Sequence, residues 1–154
     1  MRLKEKTLKN LFELLRESHA VQRRLCSRLM SSRSSERQRE AAFLQLKVEL
    51  QAHAAAEERH LYVPLLMTDG GLKSSRHALH EHHEVEELCE QLSVPKKGGS
   101  AWMKTAAELC HQVRHHLKEE ERKFFKVAGR ELSETRKQAL ARRYHADLLS
   151  MRRK

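Results

Sequence analysis

Apolar residues recur every three or four positions along almost the whole chain, the spacing of one buried face of an α-helix. The pattern predicts four long helices, over about residues 4–30, 36–67, 72–92 and 101–128, each followed by a polar or glycine-containing stretch. Pro64 is expected to kink the last turn of the second helix, and Gly129 to end the fourth. Ser133 and Glu134 then begin a shorter fifth helix.

Long helices with short connections favour one architecture, an antiparallel up-down four-helix bundle in which every apolar stripe faces a shared core. The composition agrees, because the 154 residues include only five Gly and two Pro, and local preferences favour helix nearly everywhere. A chain of this length forms about one domain. We therefore expect an all-α fold over residues 1–154, a four-helix bundle with a short C-terminal fifth helix.

The formal net charge of +10 raises the question of nucleic-acid binding. Much of the excess lies near the C-terminus, and no helix-turn-helix or other recognition motif accompanies it. A solvated basic helix explains this charge better, so nucleic acid is not an expected partner.

The remaining composition indicates a cytoplasmic protein. No apolar run approaches the roughly 18 residues needed to cross a bilayer, and the N-terminus lacks the apolar core of a signal peptide. Cys26, Cys89 and Cys110 are odd in number and have neither CxxC nor CxxH spacing. We expect reduced thiols and no membrane insertion.

Eleven histidines are the compositional anomaly, and an internal repeat selects among them. Shifting the chain by 63 residues lays "HAAAEER" on "HLKEEER" without a gap and relates segments 12–66 and 75–129. The shift pairs His19 with His82, His53 with His116 and Glu57 with Glu120.

Helical geometry predicts that the residues paired by the repeat point into the bundle. His116 and Glu120 continue the apolar line of Leu109 and Val113, because residues three, four and seven apart share a helix face. The neighbouring His115 shares a face with polar residues, and so does His83 beside His82. The same test predicts that His53 and Glu57 point inward. It predicts the same for His19, although the next turn of that helix is more polar.

Four imidazoles and two carboxylates at one depth of a bundle favour a metal site. Burying two neighbouring carboxylates without a compensating cation is costly. Each histidine alone would be explained as an ordinary core or surface residue, but the convergence of six such residues favours metal. Imidazole and carboxylate without thiolate suit iron, manganese or zinc.

At these residues the chain resembles the hemerythrin-like proteins with HHE cation-binding domains. The matching motifs are "ESHAV", "HAAAEERHLYVPLL", "EHHEVEEL" and "HLKEEERKFF". The resemblance implies a four-helix bundle holding two non-haem iron ions with an oxo or hydroxo bridge, ahead of zinc or manganese, and a diatomic ligand or peroxide. The ligands that it implies are His19, His53, Glu57, His82, His116 and Glu120.

The chain departs from oxygen-carrying hemerythrins at two points. Those proteins place paired histidines one turn apart on the third helix, whereas Ala78 and Glu86 flank His82 here. They also use an Asp five residues after the last His, where this chain has Glu120 at four. Either Glu86 or an off-register histidine substitutes as a ligand, or a metal position stays open. An open position favours reactivity over reversible storage.

Other residues near the predicted ligands have less specific interpretations. Glu58 and Glu121 either orient a ligating histidine, or supply an extra oxygen, or pair with arginine on the surface, which is slightly favoured. Tyr62 and Phe125 occupy equivalent positions and are interpreted as packing residues. Five further histidines form either a proton-relay patch, a metal-entry patch or merely a polar face, and the sequence does not decide among these. They are His77, His80, His83, His111 and His115.

The leading functional hypothesis is a di-iron protein that binds or senses dioxygen or nitric oxide, in oxidative or nitrosative stress. A di-iron oxidoreductase acting on peroxide or nitric oxide is the enzymatic alternative. The third hypothesis is a module that buffers iron or zinc, or that binds a partner protein. The physiological ligand, the redox partner and the oligomeric state stay open.

Overall fold

The computed structural model describes residues 9–154, which form five helices and no strand, so the expected all-α class is confirmed within that range. Helix α1 is Leu11–Met30, α3 is Leu72–Leu92 and α5 is Glu134–Arg152. Helix α2 is continuous over residues 36–66, built from Glu36–Glu57, Glu58–Tyr62 and Val63–Leu66. Helix α4 is continuous over residues 100–131, built from Ser100–Glu119, Glu120–Phe124 and Phe125–Glu131.

Three helices begin at side chains that cap their first amide groups. The Asn10 side chain accepts from the amide of Glu13, which starts α1 at Leu11. Ser35 and Gln38 form a reciprocal capping box at the start of α2. Ser133 caps α5 as predicted. The predicted start of the first helix near residue 4 lies outside the described residues.

Two predictions at the end of the chain are wrong. Gly129 does not end α4, because its backbone stays helical, and the helix stops at Glu131 where Leu132 becomes extended. The fifth helix is not short either. It has 19 residues against 20 for α1, because Ser133 starts it one residue after the extended Leu132 and nothing interrupts it before Arg152.

Helices α2 and α4 each widen into a five-residue π-helical segment, Glu58–Tyr62 and Glu120–Phe124. Pro64 follows the first segment, but the second contains no proline, so the missing amide hydrogen of proline does not explain both. Each π segment begins at or just after one of the predicted glutamate ligands. Such segments are frequent at functional sites because the extra residue re-aims the side chains that follow it.

The buried apolar residues form two clusters, which meet along α1 to α4 near the predicted ligands. The first cluster includes Leu11, Leu15, Ala56, Leu61, Leu65, Ala78, Phe124, Phe125, Ala128, Leu140 and Leu148. The second includes Leu25, Cys26, Leu29, Phe43, Leu46, Val85, Cys89, Leu92, Trp102, Ala106, Leu109 and Val113. Burying each large apolar side chain contributes roughly 1.5–3 kcal/mol, so the two clusters stabilise the polar layer between them.

Helix α5 packs against α1 and α2 and is tied to α2 by ion pairs. The Arg152 guanidinium donates to both oxygens of buried Glu49 at 2.7 and 2.8 Å. Asp147 accepts from Arg59 and lies 3.0 Å from the His60 ring. These contacts fix the position of α5 beside the polar layer. Within residues 9–154, every helix falls short of the length and apolarity that a membrane span requires.

Candidate metal centre

The six predicted ligands converge in the polar layer between the two apolar clusters. His19, His53, Glu57, His116 and Glu120 are buried, and the His82 side chain is 8% exposed. They form two groups, in each of which one donor atom per residue lies within 4.8 Å of all the others. We call them the His19 half, with His19 and His53, and the His82 half, with His82 and His116. Both halves share Glu57 and Glu120.

The His19 half contains buried donor atoms that lack hydrogen-bond partners. His19 Nε2 lies 3.3 Å from Glu120 Oε1, and His53 Nε2 lies 3.2 Å from Glu57 Oε1, without hydrogen-bond geometry. Both Nε2 atoms, Glu120 Oε1 and the other oxygen of Glu57 have no partner. A buried polar group without a partner costs about 1–3 kcal/mol. A cation bound between these atoms would remove that cost, so the residues fit a metal ion.

The His82 half has the same ligand types but also contains a hydroxyl group. His82 Nε2 lies 3.1 Å from Glu57 Oε1, and His116 Nε2 lies 3.4 Å from Glu120 Oε2. The Tyr62 hydroxyl oxygen lies 2.7 Å from Glu57 Oε1, contacts Glu120 Oε2, and is 3.2 and 3.3 Å from the two Nε2 atoms. Tyr62 packs in the core, as interpreted from the sequence, and its hydroxyl lies among the metal-ligand candidates.

A second layer of side chains contacts the Nδ1 atom of each of the four histidines in the centre. Glu121 lies 2.7 Å from His19 Nδ1, Glu58 lies 3.1 Å from His82 Nδ1, and Glu81 lies 2.9 Å from His116 Nδ1. The Tyr144 hydroxyl of α5 lies 2.9 Å from His53 Nδ1. Such partners fix the ring orientation of a ligating histidine. They leave all four Nε2 atoms facing the centre.

Glu58 and Glu121, the two second-layer residues that the sequence indicated, differ in their further contacts. Glu121 also accepts from Arg23 at 2.9 and 3.0 Å, so it both contacts a histidine of the centre and pairs with an arginine. Glu58 contacts His82, and its side chain is 38% exposed. Glu86 is exposed and lines a cavity beside the site, outside both groups of converging donors.

When no metal is bound, the nearby carboxylates raise the pKa of His19, His82 and His116 and so favour their protonated forms. Burial alone would lower the pKa of His19, but the nearby carboxylates of Glu120 and Glu121 raise it to about 9. Burial likewise opposes the increase at His116, where Glu120 and Glu81 raise the pKa to about 10. The pKa of Glu57 falls well below its ordinary value despite burial, mainly because of the His53 charge. Protons thus supply the positive charge that a metal would supply.

The exposed histidines and the cavity define the outer side of the site. His115 is 56% exposed and His83 is 65% exposed, whereas His116 is 7% exposed, as the repeat predicted for these neighbours. A cavity of about 640 Å³ reaches His53, His82 and His116. It gives a small molecule a route to the centre.

Sequence reasoning missed two residues of the second layer, Glu81 and Tyr144. Glu81 precedes His82 and therefore lies on a different helix face, so no periodicity connects it with the ligands. Tyr144 lies between Leu140 and Leu148 at helical spacing, which was a signal that it points inward. Its partner depends on how α5 packs, which spacing within α5 does not contain.

Comparison with protein families identifies one matching family. The family model described as the hemerythrin HHE cation binding domain matches residues 10–128. That range contains all six converging ligands and ends before α5. No curated protein and no solved structure matches the chain.

Proposed function

The chain belongs to the hemerythrin HHE cation-binding domain family, and we propose that it is a non-haem di-iron protein that binds or senses dioxygen or nitric oxide. The observation that carries the proposal is the convergence of four histidine Nε2 atoms and two shared carboxylates, several of them buried without partners. Two histidines would hold each iron together with Glu57 and Glu120, because both carboxylates belong to both groups of donors. Bound iron supplies reversible redox chemistry and an open position for a small ligand.

We also propose that α1 to α4 form a single antiparallel up-down bundle around this site. The two apolar clusters support this topology. Helix α1 begins in the first cluster and ends in the second, α2 runs from the second to the first, and α3 and α4 repeat the alternation. Neighbours in sequence pack on one another, α1 on α2 and α3 on α4, and α1 also packs on α4.

The second layer determines what the chain itself contributes. Four partners hold the histidines with Nε2 inward, so the ligand geometry exists before metal binds. The apolar clusters on both sides keep His19 away from solvent, and the cavity admits a ligand on the side of His53, His82 and His116. All three cysteines are free thiols, which supports a reducing compartment such as the cytoplasm.

A second candidate function, reduction of peroxide or nitric oxide, is favoured by Tyr62. Its hydroxyl lies 3.2 and 3.3 Å from two candidate ligand nitrogens, on the side that the cavity reaches. A protonated phenol at this point is able to donate a hydrogen bond to a ligand arriving through the cavity.

The test is metal analysis of aerobically purified protein, combined with absorption spectroscopy and two variants of neighbouring histidines. We expect about two iron ions per chain, and ferric charge-transfer absorption in the near ultraviolet that azide or nitric oxide perturbs. His116→Ala should lose most of the bound iron and this absorption, whereas His115→Ala should keep both. A colourless protein that contains only zinc would contradict the proposal.

A further inference from the structure

A second cluster of histidines and glutamates lies on the surface where α3 and α4 pack together. It contains His77 and Glu81 of α3 and His115 and Glu119 of α4. His77 and His115 are each 56% exposed, Glu119 is 29% exposed and Glu81 is 12% exposed. The four side chains are therefore accessible to an ion from solvent.

Three of the four residues form a converging set, because His77, Glu81 and Glu119 each offer one donor atom within 4.8 Å of the other two. His77 Nε2 lies 3.5 Å from Glu81 Oε1 and 3.8 Å from Glu119 Oε1. These distances are near the spacing of about 3.4 Å between tetrahedral ligands at metal–nitrogen distances of about 2.1 Å. His115 Nε2 lies 3.1 Å from Glu119 Oε2 and 4.0 Å from Glu81 Oε2, so it approaches the other oxygen of each carboxylate and would complete the ligand set.

Other exposed histidines on α3 lack this arrangement. His80 pairs with Glu84 at 3.4 Å and His83 pairs with Glu87 at 2.9 Å, each within one turn of a single helix. Neither pair belongs to a group of three or more converging donors among the described residues. Spacing of four residues along a helix produces a pair, and the packing of α3 on α4 turns two such pairs into one cluster.

We propose that His77, Glu81, His115 and Glu119 form a surface site for one zinc-like divalent cation. Two imidazoles and two carboxylates without thiolate are ligands that suit zinc and other borderline metals. Glu81 also makes the site partly preformed, because its carboxylate is held 2.9 Å from His116 Nδ1. The two histidines that sequence analysis left undecided between a relay, a metal-entry patch and a polar face become ligands here.

Glu81 connects this surface site to the buried centre. The same oxygen, Oε1, lies near both His77 and His116, so a cation on the surface would draw charge away from His116 Nδ1. This coupling rests on the proposed function, because it requires His116 to be a ligand of the buried metal. A cation bound at the surface would weaken the hydrogen bond that orients His116.

The experiment compares zinc binding by the iron-loaded protein, measured calorimetrically, in two matched double variants. His77→Ala with His115→Ala removes both histidines of the surface site. His80→Ala with His83→Ala removes two other exposed histidines, each of which also pairs with a glutamate four residues later on its helix. We expect one zinc equivalent fewer, or binding weaker by roughly tenfold or more, only in the first variant. Equal zinc binding by the two variants would overturn the site.

The same titration separates this site from the buried centre. A chain that took no iron would bind additional zinc at the buried residues, which would contradict the proposed function, yet the two double variants would still differ by one equivalent. Zinc should also shift the near-ultraviolet absorption of the iron-loaded protein, and not that of the His77→Ala with His115→Ala variant. Zinc binding without this shift would retain the surface site and overturn the coupling through Glu81.

Discussion

The two halves of the buried centre have the same ligand types, but their surroundings differ. Tyr62 places a hydroxyl among the donors of the His82 half, whereas its repeat equivalent, Phe125, stacks on His19 with ring centroids 5.9 Å apart. The cavity reaches both histidines of the His82 half but only His53 of the His19 half, because His19 is fully buried. A repeated ligand set therefore does not make two equivalent metal positions. The residue five positions after each shared glutamate makes the difference.

The second layers of the two halves differ as well. Glu58 and Glu121 occupy equivalent positions, but Arg23 neutralises Glu121 alone. The remaining partners come from different helices, with Tyr144 of α5 on His53 and Glu81 of α3 on His116. The His19 half is thus enclosed by an arginine and a fifth helix, and the His82 half is bordered by carboxylates and the cavity.

The largest effect should come from Glu57→Gln, which removes one carboxylate that both halves share. We expect loss of metal from both positions, since the change eliminates a ligand of each ion and one of two buried negative charges. Metal affinity, measured by competition with a chelator, should fall by more than the roughly 10–100-fold typical of losing an outer partner. Glu58→Gln is the matched control, because Glu58 is adjacent and contacts only His82 among the candidate ligands.

Glu58→Gln should keep metal in both halves and weaken binding within that roughly 10–100-fold range. If Glu57→Gln emptied one half and left the other filled, the carboxylate would belong to a single ion. The halves would then be independent sites.

The next effect concerns Tyr62→Phe, which makes the His82 half resemble the other half. In the metal-free protein the hydroxyl lies between two carboxylates, and removing it should cost about 1.5–3 kcal/mol of unfolding free energy. Bound metal compensates the same carboxylates, so the cost should shrink when metal is present. Chemical denaturation with and without metal measures both values.

Tyr144→Phe is the control for that experiment, since Tyr144 bonds a histidine and no carboxylate. Its cost in the metal-free protein should be about 0.5–1.5 kcal/mol, the range for a typical intramolecular hydrogen bond. An equal cost for Tyr62→Phe with and without metal would show that its hydroxyl only packs. The asymmetry between the halves would then be steric.

Helical spacing was enough to predict the ligand faces. It separated His116 from His115, because one residue rotates a helical side chain by about 100°. It did not predict that the Tyr62 hydroxyl enters the centre, since α-helical spacing aligns Leu61 with Glu57. The π segment adds a residue to that turn and brings Tyr62 onto the face of Glu57. Backbone irregularity of this kind has no signal in a repeating apolar pattern.

Tertiary packing explains the remaining differences between prediction and structure. Glu81 reaches His116 only because α3 packs on α4, and Tyr144 reaches His53 only because α5 packs on α2. Gly129 fits a C-terminal stop by local preference, but nothing turns its backbone into the left-handed region, and the helix continues. Sequence periodicity thus predicted which side chains of each helix point inward. It did not predict which helix supplies the hydrogen-bond partner of each histidine.

The smallest effect is the acid dependence that Glu121 contributes beside His19. Burial opposes ionisation of Glu121, but hydrogen bonds with His19 and Arg23 lower its pKa from 4.5 to about 2. Because the folded pKa is depressed, this stabilisation is complete above about pH 4.5 and is lost as the pH falls through 2. Partial exposure of Glu121 lets solvent screen the interaction, so the expected change in unfolding free energy is small.

In the metal-free protein, Glu121→Gln should reduce the fall in melting temperature between pH 4.5 and 2 relative to the native chain, and Arg23→Gln should reduce it in part. An unchanged acid slope in Glu121→Gln would mean that the ion pair contributes nothing to the enclosure of the His19 half.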